Sequence, residues 1–165
     1  KKYLQIGVDI EIPKRYKCIK RNNWYVIPNI SESSDAFFFR RIHHYPKLLK
    51  NNANALVTDT AYMLNIREGF DINSLIFSFY NSLTLAFTEI NGRYYGGGVL
   101  ELTPSEFKDL PIPYLSINNQ KFTEFVNRFE TKSDIDEVLQ VNDNITLRRI
   151  LKLSSSDIKK IQKIK

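Results

Sequence analysis

The chain has 165 residues, 42% of them hydrophobic, which suits one compact domain with a core of its own. No apolar run reaches the roughly 18 residues of a membrane span, and Lys1 to Leu4 lack the apolar stretch of a secretory signal. The single cysteine, Cys18, excludes an internal disulfide, and one cysteine with two adjacent histidines forms no metal-ligand pattern. We therefore expect a cytoplasmic protein without a metal site.

The net charge is +6 and the isoelectric point is about 9.3, a balance that favours a polyanionic partner, above all nucleic acid. Basic and aromatic residues are interleaved in 14–25 and again in 40–45, as phosphate contact combined with base stacking requires. An alternative stays open, in which the excess charge only solvates one face of a terminal helix. That face carries Lys159, Lys160, Lys163 and Lys165.

The first segments of the chain predict strands. Residues 16–21 and 24–27 are rich in aromatic and β-branched side chains, and the Asn-Asn pair between them tolerates the positive φ of a two-residue turn. This pattern predicts a β-hairpin. Residues 36–42, centred on three consecutive phenylalanines, predict a third strand, and 55–64 predict a fourth with a bend at its centre.

The strongest periodicity follows these strands. Apolar residues recur at steps of three and four from Ile72 to Ile90, which predicts one amphipathic helix about 30 Å long. Asp71 is placed to cap its first turn and Asn91-Gly92 to end it. We expect the apolar stripe of this helix to face the core.

The rest of the chain is predicted to be mostly helical. Residues 99–102 predict a short strand, Thr103-Pro104 predicts a helix start, and the prolines of 110–113 predict an extended segment. Further helices are predicted from Asn118 or Asn119 to Arg128, from Ser133 or Asp134 to Leu139, over 146–153 and over 156–165. The expected fold class is α+β, with a small mostly antiparallel sheet, a long core helix and a C-terminal helical region.

Signatures of catalysis are missing from the sequence. It has no Gly-x-x-x-x-Gly-Lys loop, no Gly-x-Gly-x-x-Gly turn after an opening strand and no Gly-x-Ser-x-Gly elbow. His43 and His44 are neighbours, which in a strand places them on opposite faces, so they cannot share a metal or a proton relay. We therefore assign no catalytic residue, and whether the chain belongs to an enzyme stays open from these residues alone.

Half of the six glycines form one triplet, Gly96-Gly97-Gly98, which follows two tyrosines. One interpretation is a tight bend between a helix and a strand. The other is a backbone surface that a partner approaches closely, because glycine carries no side chain to hold it away. The triplet alone does not separate the two.

A series of short motifs connects the chain with a known family. In chain order they are Tyr16-Lys17-Cys18, Arg21-x-x-Trp24-Tyr25-Val26-x-Pro28, Thr58-Asp59-Thr60, Asn81-Ser82-Leu83, Gly92-Arg93-x-Tyr95-Gly96-Gly97-Gly98-Val99-Leu100-Glu101-Leu102 and Leu110-Pro111-Ile112-Pro113. With them, residues 14–115 resemble the C-terminal target-recognition half of N6-adenine DNA methyltransferases of restriction-modification systems, more narrowly the γ-class, Eco57I-type and TaqI-type enzymes. The run 91–113 is the most specific part.

This resemblance implies a single DNA target-recognition domain over residues 1–165, as a fragment of a longer methyltransferase. In that family a separate Rossmann-like domain binds S-adenosylmethionine and holds the flipped adenine with a Pro-Pro motif. None of the six prolines here is adjacent to another, so no catalytic or cofactor residue carries over. The resemblance implies two partners, double-stranded DNA and the catalytic domain of the same protein. The implied role is to grip the duplex and read its sequence so that the right adenine is flipped.

Basic, aromatic and glycine residues near these motifs are the candidates for DNA contacts. They are Lys17, Lys20, Arg21, Trp24, Arg40, Arg41, His43, Arg93, Tyr94, Tyr95, Gly96, Gly97 and Gly98. Each has a structural alternative: Trp24 as a core residue, Lys20 and Arg21 as solvation of a turn, Arg93 as a partner of helix-end carbonyls.

Two other functions stay open. The domain is a docking module, as in type I specificity subunits, if its aromatic and apolar residues form an interface with protein. It belongs to a nuclease if an acidic cluster binds Mg²⁺, although Glu68 and Asp71 have no lysine near them in sequence to complete such a site.

Overall fold

A computed structural model of the chain describes residues 2–26, 34–131 and 134–164. The internal contacts fall into two compact units, Lys1–Ser31 and Glu32–Lys165, and each is described by itself. The single domain expected over residues 1–165 stays a prediction. Some sequence predictions concern residues outside the described part of the chain. These residues are Ile27, Pro28, Ser133 and Lys165.

The first unit is helical in its described part. Helix α1 spans Lys2–Asp9, a single 3-10 turn spans Ile12–Lys14, and α2 spans Tyr16–Ile19. The predicted β-hairpin is therefore wrong. Its first segment forms local hydrogen bonds instead of a ladder, because the amides of Cys18 and Ile19 both donate to the carbonyl of Arg15.

The second unit contains two antiparallel, three-stranded sheets. Their strands are β1 at Ala36–Phe39, β2 at Arg41–Ile42, β3 at Leu48–Lys50, β4 at Ala61–Leu64, β5 at Arg93–Tyr95 and β6 at Val99–Glu101. One sheet has the order β3-β1-β4 and the other the order β2-β6-β5.

Arg40 divides the strand predicted over 36–42 between the two sheets. Its backbone amide donates to the carbonyl of Thr60, beside β4, and its carbonyl accepts from the amide of Leu102, beside β6. The strand predicted over 55–64 is shorter than expected, since only its last four residues pair with β1, after a turn at residues 59–60.

Helices make up most of the second unit. They are α3 at Ile72–Phe79, α4 at Ser82–Asn91, α5 at Pro104–Lys108, α6 at Asn119–Thr131, α7 at Ile135–Asp143, a π-helical segment at Asn144–Ile150 and α8 at Ser155–Ile161. The expected α+β class is confirmed. None of the helices in the described part of the chain is long and apolar enough to cross a membrane.

The single core helix predicted over 72–90 is in fact two helices, α3 and α4. Tyr80 and Asn81 between them leave the helical conformation, and the Asn81 side chain caps α4 by accepting from the amide of Thr84 at 3.0 Å. The apolar stripe continues across the break, so periodicity alone does not reveal it.

Two side chains at the end of α7 hold this junction. Asn142 donates to the carbonyls of Phe77 and Tyr80 at 3.3 and 2.9 Å, which are free because α3 ends there. The buried carboxylate of Asp143 accepts from the amide and the hydroxyl of Ser82 at 2.8 and 2.7 Å. The break is thus satisfied from outside the two helices.

Aromatic rings join the first sheet to the helices. Phe38 on β1 is fully buried, stacks on Phe107 with ring centroids 4.1 Å apart and meets Phe79 edge to face. On the other side of α3, Phe77 and Tyr80 pack against Phe125 of α6. This core fixes the strands that lead to the second sheet.

The helix starts follow their sequence signals. Asp71 and Asp134 cap α3 and α7, and the Asn118 side chain accepts from the amide at the third position of α6. Thr103 and Glu106 form a complete capping box at α5.

Candidate nucleic-acid interface

Strands β5 and β6 form a ribbon whose far end has no third strand beside it within residues 2–26, 34–131 and 134–164. β5 pairs with β6 along its whole length, from Arg93 opposite Glu101 to Tyr95 opposite Val99. β2 lies on the other side of β6 but pairs only with Glu101 and Leu100. Beyond Leu100 the ribbon therefore consists of two strands and the turn that joins them.

The glycine triplet is that turn. It joins two strands, whereas the bend interpretation placed it between a helix and a strand. Gly97 and Gly98 have φ values of +83° and +75°, which L side chains rarely adopt. A Cβ placed on any of the three glycines would meet no described atom within 4 Å. With Tyr94 and Tyr95 exposed at 65% and 54%, the tip presents aromatic rings and bare backbone to solvent.

The base of the ribbon is packed instead. A Cβ on Gly92, just before β5, would lie 2.6 Å from the Leu100 side chain and 2.7 Å from the carbonyl oxygen of Thr88. Leu100 itself is buried. The ribbon is thus anchored in the core at one end and open at the other.

Glu101 on the central strand binds two of the candidate arginines. Its carboxylate accepts from Nη2 of Arg40 and, at 3.1 Å, from Nε of Arg41. These hydrogen bonds, that of Arg40 first, lower the pKa of Glu101, and the same contact raises the pKa of Arg40. Arg40 also donates to the carbonyl of Asp59 at 3.4 Å, so its guanidinium is held inside the fold.

Arg41 and Arg93 share the open face of this sheet. They lie opposite Glu101 on its two sides, in one row across the strands, and residues opposite each other point to the same face. Arg93 donates to Glu106 at 2.9 Å, yet 62% of its side chain and 72% of that of Arg41 are exposed. The amide of Thr103 is the main cause of the lowered pKa of Glu106.

Sequence reasoning missed both acids. Glu101 interrupts the apolar run 99–102, and a lone carboxylate in such a run signals a buried partner. Glu106 stands three residues after Thr103, the spacing of a capping box. Either signal was available to predict an internal partner for the arginines.

A second basic surface lies in the first unit. Lys17, Lys20 and Arg21 line a depression of about 720 Å³ together with Tyr16, Asn22, Asn23 and Val26. Among the described residues its lining contains three cations and no carboxylate. Lys20 donates to the hydroxyl of Tyr16 at 2.7 Å, and Arg21 to the carbonyl of Trp24 at 3.4 Å. The depression has the charge and the amide donors that suit phosphate oxygens.

Trp24 is packed within this unit. A Cβ on Gly7 would lie 2.4 Å from the Trp24 ring, so the indole covers α1 at the position where glycine leaves room. Tyr25 meets the same ring edge to face. This favours the structural alternative for Trp24 over base stacking.

The two histidines lie outside the strands. His43 and His44 occupy bends after β2, so the prediction that a strand places them on opposite faces is wrong. Their rings are exposed, with centroids 6.5 Å apart. His43 therefore stays a candidate contact near the row formed by Arg41, Glu101 and Arg93.

Charge is distributed very unevenly along the chain. Residues 148–165 contain seven of the 24 Lys and Arg and one of the 18 Asp and Glu. The preceding 147 residues therefore carry 17 charges of each sign and no net charge. The overall basicity that favoured a polyanionic partner originates entirely in the C-terminal segment.

Comparison with known proteins decides the family. A family described as the C-terminal domain of the type II methyltransferase M.Eco57I matches residues 1–147. The chain belongs to this family. The assignment confirms the resemblance found in the sequence and gives the chain a methyltransferase and restriction-modification context. No curated protein and no solved structure matches the chain.

The methyl donor of such enzymes, S-adenosylmethionine, does not fit the glycine-rich segment of this domain. A nucleotide cradle places glycines between a strand and the N-terminus of a helix, where backbone amides converge. Here the triplet connects two antiparallel strands and its surroundings are open.

Proposed function

We propose that the chain is the sequence-specific DNA recognition domain of an adenine-N6 methyltransferase of a restriction-modification system. It positions duplex DNA so that the target adenine is flipped into a catalytic domain outside this chain. Family membership supports the methyltransferase context, and the shape of the β5–β6 ribbon carries the proposal of DNA recognition. The partners are then double-stranded DNA and the catalytic domain, in the cytoplasm.

The ribbon matches the DNA major groove in size. That groove is about 12 Å wide and admits a two-stranded ribbon, whereas the minor groove is about 6 Å wide. Two paired strands already span about 4.8 Å between backbones before side chains are added. In the described structure β2 pairs with β6 only at Glu101 and Leu100, which leaves the tip as the part of the ribbon that enters the major groove.

Gly96 supports this placement of the tip. Its φ is outside the left-handed region, and no described atom lies within 4 Å of a Cβ placed there. Neither conformation nor internal packing therefore requires glycine at this position, although glycine is less favourable than alanine by roughly 0.5–1 kcal/mol within regular structure. A close external approach accounts for it, with backbone groups of the tip lying against base edges and Tyr94 and Tyr95 beside them.

The exposed cations then set the register of the protein on the duplex. Arg41 and Arg93 lie at the base of the ribbon, where phosphates at the groove rim pass when the tip is inserted. Each has an internal acidic partner, which orders its side chain before DNA arrives. The depression formed by Lys17, Lys20 and Arg21 provides a further phosphate contact.

Selection from a pool of randomised duplexes tests the proposal without knowledge of the target. The wild-type chain is expected to enrich one sequence motif. Gly96→Ala should abolish the enrichment and leave non-specific affinity and its salt dependence unchanged, because only the tip is altered. Gly69→Ala is a comparison variant, since Gly69 is also exposed with open space around it and lies in a turn before α3, outside the ribbon, although its φ is positive whereas that of Gly96 is not. Enrichment that survives Gly96→Ala, or a wild-type chain that enriches nothing, contradicts the proposal.

A second candidate, docking against the catalytic domain, is favoured by a different surface. The first unit exposes large apolar side chains on and after α1, including Tyr3, Ile6 and Ile10 at 83%, 57% and 58%. Exposed apolar side chains in such density are typical of protein interfaces. Ile6→Ser with Ile10→Ser should weaken association with the catalytic domain and leave DNA selection intact. Loss of selection with intact association excludes this role.

A further inference from the structure

The C-terminal segment carries a cluster of cations that the matched family does not cover. The family match ends at residue 147, and the basic residues begin at the next position. We define the C-terminal basic face as the exposed, described cations of this segment. They are Arg148, Arg149, Lys152, Lys159, Lys160 and Lys163.

This face belongs to a segment that is seated on the fold. Ile158 on α8 is buried, and the Gln162 side chain donates to the carboxylate of Asp143 at 2.8 Å. The opposite side of the helix therefore faces solvent. Lys159 and Lys160 lie in the last turn of α8, Lys163 lies in the turn that follows it, and all three side chains are exposed. A docked helix and the turn after it therefore present these three cations.

Carboxylates do not neutralise this face from within the described chain. Asp157 is the acidic residue of the segment, and its carboxylate already accepts from the Ser154 hydroxyl at 2.6 Å in the cap of α8. Lys160 reaches Asp157 at 3.8 Å, and the other five cations form no ion pair in the described structure.

The helix dipole explains only part of the arrangement. Lys159 and Lys160 lie in the last turn of α8, where cations interact favourably with the dipole. Arg148, Arg149 and Lys152 precede α8, so its dipole does not account for them. An external polyanion interacts favourably with cations at all of these positions.

We propose that the C-terminal basic face binds the phosphate backbone of duplex DNA and supplies non-specific affinity, separately from sequence reading by the ribbon. The inference rests on the proposed function in its choice of DNA as the polyanion. Phosphate contacts carry no sequence information but dominate affinity and its salt dependence. The matched domain has no net charge of its own, so this segment provides the long-range attraction that brings the ribbon to DNA.

The test compares two triple variants of the full chain with equal loss of charge. One replaces Lys159, Lys160 and Lys163 by glutamine, and the control replaces the exposed Lys2, Lys47 and Lys108 by glutamine. Affinity for a random-sequence duplex is measured by fluorescence anisotropy between 50 and 200 mM salt. The first variant should reduce the slope of log K against log salt by about two to three, and the control by less than one. Motif enrichment should persist in both.

Several outcomes overturn the inference. Equal slopes for both variants show that net charge alone matters. Loss of motif enrichment in the first variant shows that the face takes part in sequence reading, and loss of association with the catalytic domain at an unchanged salt slope assigns it to protein contact. A wild-type chain without DNA affinity removes the proposed function itself, a result distinct from wild-type binding with an unchanged slope in the first variant.

Discussion

The junction between α3 and α4 and the tip of the β5–β6 ribbon are opposites. The junction is polar and buried, and each helix end there has a hydrogen-bond partner on another element, chiefly Asn142 and Asp143. The tip is aromatic and glycine-rich, and it is exposed with no described atom near its glycines. Hydrogen bonds within the fold account for the polar groups at the two helix ends, whereas contacts within the fold do not account for the exposed tyrosines and Gly96 at the tip.

This contrast separates residues that stabilise the domain from residues available to a partner. A buried polar group without its partner is destabilising, so substitution at the junction should affect folding. Gly96 is exposed and its φ is open to any residue, so substitution there should affect binding alone, whereas Gly97 and Gly98 are also required by their left-handed φ values. Substitutions in the two regions test this division.

Asp143→Ala should destabilise the chain by about 2–4 kcal/mol, because it leaves the buried amide and hydroxyl of Ser82 without an acceptor. Urea unfolding of the full chain measures the change. Glu68→Ala, at an exposed turn, is the control and should stay within about 0.5 kcal/mol of wild type. If Asp143→Ala changes the free energy of unfolding only slightly, the junction does not depend on the Asp143 carboxylate. The proposed difference between the junction and the tip is then contradicted.

Gly92→Ala and Gly96→Ala apply the same change to the base and the tip of the ribbon. The first should destabilise by about 1–3 kcal/mol, since the new methyl group would clash with Leu100 and the Thr88 carbonyl. The second should be neutral or stabilising by up to about 1 kcal/mol, because alanine restricts the unfolded chain. Thermal and urea unfolding compare them, and equal effects contradict the division into base and tip.

The sequence predicted the elements whose signals are local. The caps at Asp71 and Thr103 follow from short-range hydrogen bonds between neighbouring residues, and both are present. The break at Tyr80 has one local signal, the Asn81 cap of α4, which the continuous apolar stripe concealed. Its other partners, Asn142 and Asp143, lie about sixty positions further along the chain, and no local signal predicts them.

The same distinction applies to the candidate site. The glycine triplet and the two tyrosines before it were selected from the sequence as candidate contacts, and in the structure they form one exposed tip. The internal pairing of Arg40 depends on Glu101, sixty-one positions away, and Trp24, predicted to lie in a hairpin strand, packs on Gly7 of α1 instead. Neither contact can be predicted from the spacing of residues in the sequence.

Gly97→Ala and Gly69→Ala form a pair matched in backbone conformation, with φ values of +83° and +85° and open space around both. Each should destabilise by about 1 kcal/mol, the typical effect of placing a Cβ in the left-handed region. Only Gly97→Ala should also reduce motif enrichment from the randomised duplexes. Equal stability effects with equal enrichment mean that the tip does not contact bases.

The smallest expected effect on the free energy of unfolding is at Glu101, and it is confined to acid pH. Hydrogen bonds from Arg40 and Arg41 lower its folded pKa, while in the unfolded chain a glutamate titrates near 4.3. The stability from this contact is therefore fully present above about pH 4.3 and is lost as the pH falls through the lowered folded pKa. Glu101→Gln cannot ionise, so its unfolding free energy should vary less between pH 6 and pH 3 than that of wild type. Glu106→Gln is a parallel variant rather than a control: Glu106 also has a lowered pKa, so its replacement should reduce the acid dependence in the same direction. If Glu101→Gln shows the full acid dependence of wild type, the base of the ribbon is not held by this carboxylate, and the packed Gly92 alone anchors it.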